Sequence, residues 1–243
     1  MVIFNDDVNW DHWPVQDYLA DNYRELHAAD AAVIAHHSEF YGRLAPDSIG
    51  RSVEFGAGPN LYPLMVASAA CRHIDAVEAG AANVAYLRRQ LAEGPEESWR
   101  PFHELCRRLN PDVPATLPES LARVHVVHSD VRALEPGTYD LASMNFVAEG
   151  ATEDFAEFTA FCHAFVRTVV PGGRLVAAFM ENLPSYHLGQ ASWPACPVSP
   201  DTVTEVFAPL TRELSVTRID ADPTLPDYGD SGMVLLTAIA DET

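Results

Sequence analysis

Three acidic side chains and one glycine turn stand where they could bind a single small ligand. Glu54 lies just before the turn Gly56-Ala57-Gly58, Glu78 ends the next apolar run, and Asp130 follows a third apolar run. A glycine turn between a buried strand and a helix lets backbone N–H groups approach a ligand closely. Carboxylates accept hydrogen bonds from the ribose hydroxyls and the exocyclic amine of an adenosine. The pattern predicts an adenosine-containing ligand.

These side chains can meet only if the strands that carry them end side by side. Strands are predicted at 52–55, 73–78, 124–127, 140–146, 174–180, 213–219 and 233–240. Helical patterns alternate with the first five, which favours a doubly wound parallel sheet, whereas no helix separates the last two, which must pair antiparallel. We predict an α/β fold with a seven-stranded, mostly parallel sheet and an antiparallel last strand. Ligands of such sheets bind beyond the carboxyl ends of the strands.

The ligand that fits this set is S-adenosylmethionine. Leu61 occupies the third glycine position of Gly-x-Gly-x-x-Gly, and a cofactor without pyrophosphate does not need that glycine. Glu78 would accept from the ribose, and Asp130 from adenine, with the Val131 N–H donating to a ring nitrogen. Glu54 would anchor N–H groups of the turn and help to place the methionyl ammonium.

The charge of the chain excludes several classes of partner. The net charge is −20, from 15 basic and 35 acidic residues, and such a field repels nucleic acids and anionic membranes. No apolar run reaches the ~18 residues that a membrane span needs. The first residues lack the basic and apolar regions of a signal peptide. We therefore predict a cytoplasmic protein that binds neither nucleic acid nor membrane.

The basic residues and the cysteines exclude further chemistry. All 15 basic residues are arginine, which is typical of a GC-rich bacterial genome and removes lysine-based Schiff-base or Walker-type sites. The four cysteines are widely spaced and form no Cys-x-x-Cys pair. They indicate buried thiols, and no metal site is predicted.

A set of residues carries a resemblance to a known family. They are Asp17-Tyr18-Leu19 with Tyr23, Glu54-Phe55-Gly56-Ala57-Gly58-Pro59 with Tyr62, Glu78, Asn83, Asp130-Val131 and Val170-Pro171-Gly172-Gly173. From about residue 18 to its end, the chain resembles class I S-adenosylmethionine-dependent methyltransferases, and more narrowly the nicotinamide, phenylethanolamine and indolethylamine N-methyltransferase family. The resemblance implies that two tyrosines pack over the cofactor and that a third binds its carboxylate.

Together, the pattern and the resemblance predict the cofactor-binding residues. They are Tyr18, Tyr23, Glu54, Gly56, Ala57, Gly58, Tyr62, Glu78, Asn83, Asp130, Val131, Asn145 and Phe146. Helical spacing before the first strand, and alternating strands and helices after it, predict two units. Residues 1–48 would form a helical cap over the active site, and residues 49–243 a methyltransferase domain with a proline-rich surface insertion at 95–122.

The acceptor site departs from the family pattern. The family has an acid just after strand five that orients the acceptor, and a gap-free comparison puts Phe179 there. Glu181 lies two residues further on and would face the same side, while Asp227 and Asp230 lie in the late loop. Glu181 or Asp230 is predicted to hydrogen-bond the acceptor.

The predicted function is N-methylation of a small amine or N-heterocycle by a monomer or weak homo-oligomer. One alternative is an O- or C-methyltransferase that tailors a secondary metabolite, which a base such as His187 beside the methyl group would favour. The others are an NAD-dependent oxidoreductase and a non-catalytic S-adenosylmethionine-binding protein. Leu61 and the helix-less tail argue against the oxidoreductase.

Overall fold

Nine strands form in the computed structural model, which describes residues 2–241. They are β1 (Ser52–Phe55), β2 (Ile74–Glu78), β3 (Val124–His128), β4 (Tyr139–Asn145), β5 (Val169–Glu181), β6 (Tyr186–Leu188), β7 (Ala191–Trp193), β8 (Thr211–Asp220) and β9 (Gly232–Ala240). Seven of them form one sheet in the order β3-β2-β1-β4-β5-β9-β8, and β6 pairs with β7 as a separate hairpin. β1 to β5 run parallel, and β9 is antiparallel to both of its neighbours. The predicted doubly wound sheet with its antiparallel last strand is confirmed.

Helices cover both faces of this sheet. They are α1 (Val15–Asn22), α2 (Ala28–Gly42), α3 (Tyr62–Ala67), α4 (Ala81–Glu93), α5 (Arg100–Leu109), α6 (Leu117–Leu121), α7 (Phe155–Thr168) and α8 (Pro200–Phe207). Helices α2 to α5 share one apolar core with the sheet, and α7 and α8 share the other. Alternation along β5 divides its side chains between the two cores, since Val176 faces the first and Phe179 the second.

Three local predictions differ from the structure. The Pro-Gly-Gly segment at 171–173 is a sequence signal for a helix end, but strand β5 starts at Val169 and includes this segment. Thr152 precedes a helical pattern at 153–169 and is the cap expected from the sequence. Asp154 caps α7 instead, because its carboxylate accepts from the Glu157 N–H at 2.8 Å. In the insertion at 95–122, Trp99 and Phe102 are buried in the first core, so the insertion is not confined to the surface as predicted.

The N-terminal segment packs over the carboxyl edge of the sheet. The Asp222 carboxylate, in the loop between β8 and β9, accepts from the Ala29 N–H at 3.0 Å and so ties this loop to the start of α2. Among residues 2–241, no helix combines the length and apolarity that crossing a bilayer requires. Within the same residues, no group of three or more His, Cys, Asp and Glu side chains is arranged to hold a metal ion.

Candidate active site

A cavity of about 510 Å³ lies beyond the carboxyl ends of β1, β2 and β4. The N-terminal segment and the loop between β8 and β9 form its other walls. The structure brings most of the predicted cofactor residues to this cavity: Tyr18, Tyr23, Gly56, Ala57, Gly58, Glu78, Asn83, Asp130, Val131, Asn145 and Phe146. Glu54 and Tyr62 do not line it.

The glycine turn after β1 is fixed by hydrogen bonds to β2. The N–H groups of Gly56 and Ala57 both donate to the Val77 carbonyl, at 3.0 and 2.9 Å. Gly56 has a φ of +75°, and a Cβ there would lie 2.7 Å from Cγ1 of Val147. Gly58 has a φ of +54° and open space around it. The absence of side chains lets the loops after β1 and β4 pack together at the cavity floor.

Alanine substitutions at the two glycines should separate these effects. Gly58→Ala should lower the free energy of unfolding by about 1–2 kcal/mol, the cost of a left-handed alanine. Gly56→Ala should cost about 1–3 kcal/mol more because its methyl group also meets Val147. Urea denaturation of both variants measures the difference, and equal losses would show that the contact with Val147 relaxes freely.

Glu78 binds the turn as well as facing the cavity. Its Oε2 accepts from the Gly58 N–H at 2.9 Å, and its Oε1 accepts from the Gly80 N–H at 2.7 Å and from Asn83 Nδ2 at 3.4 Å. Burial raises the pKa of Glu78, and these donors offset part of the rise. Oε2 keeps a lone pair for a ligand hydroxyl, so one carboxylate can join the glycine turn to a ribose.

Asp130 is paired with Arg132, a partner that the sequence pattern did not reveal. Its Oδ1 accepts from the Arg132 N–H at 2.8 Å, and its Oδ2 accepts from Nη2 of the same residue at 2.7 Å. Burial alone would raise the pKa of Asp130, but the Arg132 bonds outweigh it and the net pKa is lowered. Asp130 therefore stands at the cavity wall as a fixed carboxylate next to Val131.

The predicted tyrosines lie together at the side of the glycine turn. The hydroxyls of Tyr18 and Tyr23 are 3.4 Å apart, and Asn60 Nδ2 donates to the Tyr23 hydroxyl at 3.0 Å. Tyr62 lies behind Tyr23, with ring centroids 6.1 Å apart, and its buried hydroxyl has no partner within the described chain. Trp10 and Trp13 extend the aromatic wall and pack on Trp193 of the β6–β7 hairpin.

Glu54 has a different place from the one expected. The N–H groups of the turn go to Val77 and Glu78, and the Glu54 carboxylate instead accepts from Asn145 Nδ2 at 2.9 Å. Burial raises its pKa to about 7. His37 Nε2 bonds to Asn145 Oδ1 at 2.9 Å from the other side. Glu54 therefore orients Asn145 from below the cavity and has no direct access to a ligand.

The two predicted acceptor acids are separated. Glu181 is sealed away from the cavity, where its carboxylate accepts from Arg218 Nε at 2.7 Å and from the Ser231 hydroxyl at 2.8 Å. Strand alternation explains this, since Met180 faces the cavity and Phe179 and Glu181 face away from it. Asp230 does line the cavity, and burial raises its pKa.

His187, the predicted base of the O-methylation alternative, also lies off the wall. It is exposed in the β6–β7 hairpin, and its Nε2 is 3.0 Å from the Ser192 hydroxyl. Tyr186, one residue earlier, does line the cavity and packs against Tyr228. The base that would have favoured an oxygen or carbon acceptor is therefore not at the site.

Two buried carboxyl groups on the wall were not predicted. Glu149, in the loop after β4, is 0% exposed. Its Oε1 accepts from the Met180 N–H at 2.7 Å, while Oε2 has no partner in the described chain. Asp30, in the first turn of α2, is 3% exposed and its Oδ2 is likewise unpartnered. Burial raises the pKa of each to about 8. The sequence could have indicated Glu149, because it lies four residues after Asn145, close to the end of a predicted strand. The sequence around Asp30 predicts only a helix start and gives no indication of a role at the site.

The cavity wall is strongly acidic. Eight carboxyl residues line it, and no arginine, lysine or histidine does so among the described residues. They are Asp30, Glu78, Asp130, Glu149, Asp220, Asp222, Asp227 and Asp230. Burial keeps Asp30 and Glu149 protonated near neutral pH, but a wall with this many carboxyl groups and no basic side chain still attracts cationic ligands and repels anions.

Comparisons with known proteins agree with this geometry. A sequence model of the NNMT/PNMT/TEMT family matches residues 3–238, and a search of curated protein sequences finds no significant match. Among solved structures, the chain is similar to DhpI in complex with SAH, with a TM-score of 0.60 at 14% identity over 94% of this chain and 92% of that one. It is also similar to the N-methyltransferase NodS from Bradyrhizobium japonicum WM9, with a TM-score of 0.55 at 12% identity over 88% and 99%. A third is the glycopeptide N-methyltransferase MtfA complexed with SAM, with a TM-score of 0.52 at 16% identity over 85% and 93%. At such identities the structural likeness concerns the fold.

Proposed function

The chain belongs to the NNMT/PNMT/TEMT family of S-adenosylmethionine-dependent methyltransferases, and from this premise we propose that it methylates the nitrogen of a small amine. The observation that carries the proposal is the acidic cavity wall, with eight carboxyl residues and no basic side chain among the described lining residues. An amine that arrives as a cation is attracted to such a wall, whereas a carboxylate or phosphate acceptor is repelled.

The residues of the cavity fit the cofactor. The turn at Gly56 leaves no room for a Cβ, and Glu78 and Asp130 stand at the ends of neighbouring strands. The cavity volume of about 510 Å³ lies in the usual range for small-molecule sites. We propose that Glu78 and Asn83 hold the ribose, that Asp130 and Val131 hold adenine, and that the remaining predicted residues on the wall surround the methionyl end. When bound, the cofactor supplies an activated methyl group on a sulfonium.

The side chains of the cavity must hold a neutral amine nitrogen in line with that methyl group. A protonated amine has no free electron pair, so its proton must leave before transfer. We propose that Glu149, in its ionised form, accepts this proton at Oε2, which is buried and unpartnered beside Met180, and orients the nitrogen. A pKa of about 8 lies close to that of an amine, which suits exchange of a proton between the two groups. Asp230 stands on the same wall as a second orienting acid. Holding the nitrogen in line with the methyl group supplies most of the rate acceleration, because methyl transfer requires little chemistry besides this positioning.

The N-terminal segment would close the site. Trp10, Trp13, Tyr18 and Tyr23 all line the cavity, and aromatic faces favour a sulfonium through cation–π attraction. We propose that residues 1–48 act as a cap that excludes water from the sheet edge, and that residues 49–243 form the methyltransferase domain. A dry site favours a reaction in which the cofactor loses its charge.

Tryptophan fluorescence and a methylation screen test this function. S-adenosylmethionine should change the emission of Trp10 and Trp13, whereas a nicotinamide dinucleotide should leave it unchanged. With labelled cofactor, a panel of small amines, phenols and carboxylates should give labelled product from amines alone. Labelling of phenols alone would replace the amine proposal with O-methylation. Cofactor binding with no labelled product from any class would favour a binding protein.

A further inference from the structure

Asp30 is a buried carboxyl group that the proposed reaction does not use. It is the third residue of α2, it lines the cavity, and it is 3% exposed. The backbone N–H of His27 supports the group, but Oδ2 has no partner in the described chain. An unpaired carboxylate in such a place is costly unless a cation joins it.

The titratable protein groups that couple electrostatically to Asp30 are hydroxyls and another acid. They are the phenols of Tyr18, Tyr23 and Tyr62, whose pKa values are raised first by burial and further by Asp30, together with Asp222. Asp222 is already bound by the Ala29 N–H. Burial, with no positive neighbour to oppose it, raises the pKa of Asp30 to about 8. Asp30 is therefore protonated near neutral pH in the unliganded protein, and a cationic ligand bound beside Oδ2 would favour its ionised form.

The position of Asp30 indicates which ligand atom this is. Glu78 and Asp130 place adenosine over β2 and β3, at one end of the cavity. The rest of the cofactor must then extend across β1 towards β4, because these strands come next in the sheet. Asp30 belongs to this second end, since it couples electrostatically to Tyr23, whose hydroxyl accepts a hydrogen bond from Asn60 of the loop after β1. Glu54, the acid first expected to serve the methionyl ammonium, is sealed below Asn145.

We propose that the Asp30 carboxylate binds the α-ammonium of the cofactor's methionyl group. This inference rests on the cofactor assignment made above. The ammonium donates three N–H bonds, whereas the sulfonium has none, so the ammonium is the cation that a carboxylate oxygen can pair with directly.

A double-mutant cycle between protein and ligand tests the pairing. Isothermal titration calorimetry would measure S-adenosylhomocysteine and its analogue without the α-amino group, each with the wild type and with Asp30→Asn. Asp30→Asn should raise the dissociation constant of S-adenosylhomocysteine at least about tenfold. It should raise the dissociation constant of the deaminated analogue less than about twofold. Asp227→Asn is the matched control, because it removes another wall carboxylate and should affect both ligands equally. Asp30→Ser, which suits a first helical turn, replaces Asp30→Asn if that variant does not fold.

Each other outcome overturns the pairing. Equal weakening of both ligands would make Asp30 a structural residue of α2. Asp30 would belong to the acceptor site if the substitution left the affinity for S-adenosylhomocysteine unchanged but weakened the binding of amines to the protein with S-adenosylhomocysteine bound. Failure of the wild type to bind S-adenosylhomocysteine would instead overturn the cofactor assignment itself, so the two failures are distinct.

Discussion

Replacing Glu78 with alanine is expected to raise the dissociation constant for S-adenosylmethionine about a hundredfold. The carboxylate holds the N–H groups of Gly58 and Gly80, and on our assignment it also accepts from the ribose. The substitution therefore removes a charge-assisted bond to the ligand, which contributes about 1.5–3 kcal/mol, and loosens the turn that approaches the ligand. A total loss of about 3 kcal/mol gives this factor. Calorimetry measures the affinity, and far-ultraviolet circular dichroism checks that the sheet is intact.

Glu78→Gln is the matched variant for this test. Its amide oxygen can keep one of the backbone N–H bonds, so the loss of affinity should lie between those of wild type and Glu78→Ala. An intact fold with wild-type affinity in Glu78→Ala would remove Glu78 from the cofactor site. A fold lost in both variants would make the residue a structural anchor of the turn.

Local signals predicted the part of the site that lies next to strands. The short strand segment 52–55 followed by glycines, and the acid at the end of 74–78, specify strand, turn and strand end within a few residues. Since the carboxyl ends of parallel strands share one sheet edge, Glu78, Asp130 and Asn145 reach the same cavity as expected. The mostly parallel sheet and its antiparallel last strand were predicted from the alternation of strands and helices and from the helix-less tail.

Which other carboxyl groups face the cavity depends on tertiary packing, which local sequence patterns do not predict. Glu181 and Met180 differ by one position, and that single step decides which of them faces the cavity. The backbone in this region is also held from outside the strand, because Glu149 accepts from the Met180 N–H. Asp30 reaches the site only because α2 packs over the sheet edge, a contact between segments far apart in the chain. No periodicity within a single element reports such contacts.

Glu149→Gln should lower turnover of an amine acceptor by about 10² to 10⁴-fold while leaving cofactor affinity within about twofold of wild type. Its amide oxygen can still accept from the Met180 N–H, but the side chain can no longer take the amine's proton. Labelled-methyl transfer measures turnover, and calorimetry measures cofactor binding. Glu181→Gln is the comparison, because that carboxylate is bonded to Arg218 off the wall, and its effect on turnover should be the smaller of the two. The reverse order would return the orienting role to Glu181.

The same variant should be more stable than wild type at pH 8, which separates lost function from lost fold. Burial raises the pKa of Glu149 from its ordinary 4.5 to about 8, so the folded protein keeps a proton that the unfolded chain releases above pH 4.5. Wild-type stability from this group is therefore complete below pH 4.5 and is lost as the pH rises towards 8, and glutamine has no such dependence. Thermal denaturation should show a gap in favour of Glu149→Gln that grows from pH 5 to pH 8. A gap of constant size would mean that Glu149 is already ionised in the folded protein at pH 5, which would contradict the raised pKa.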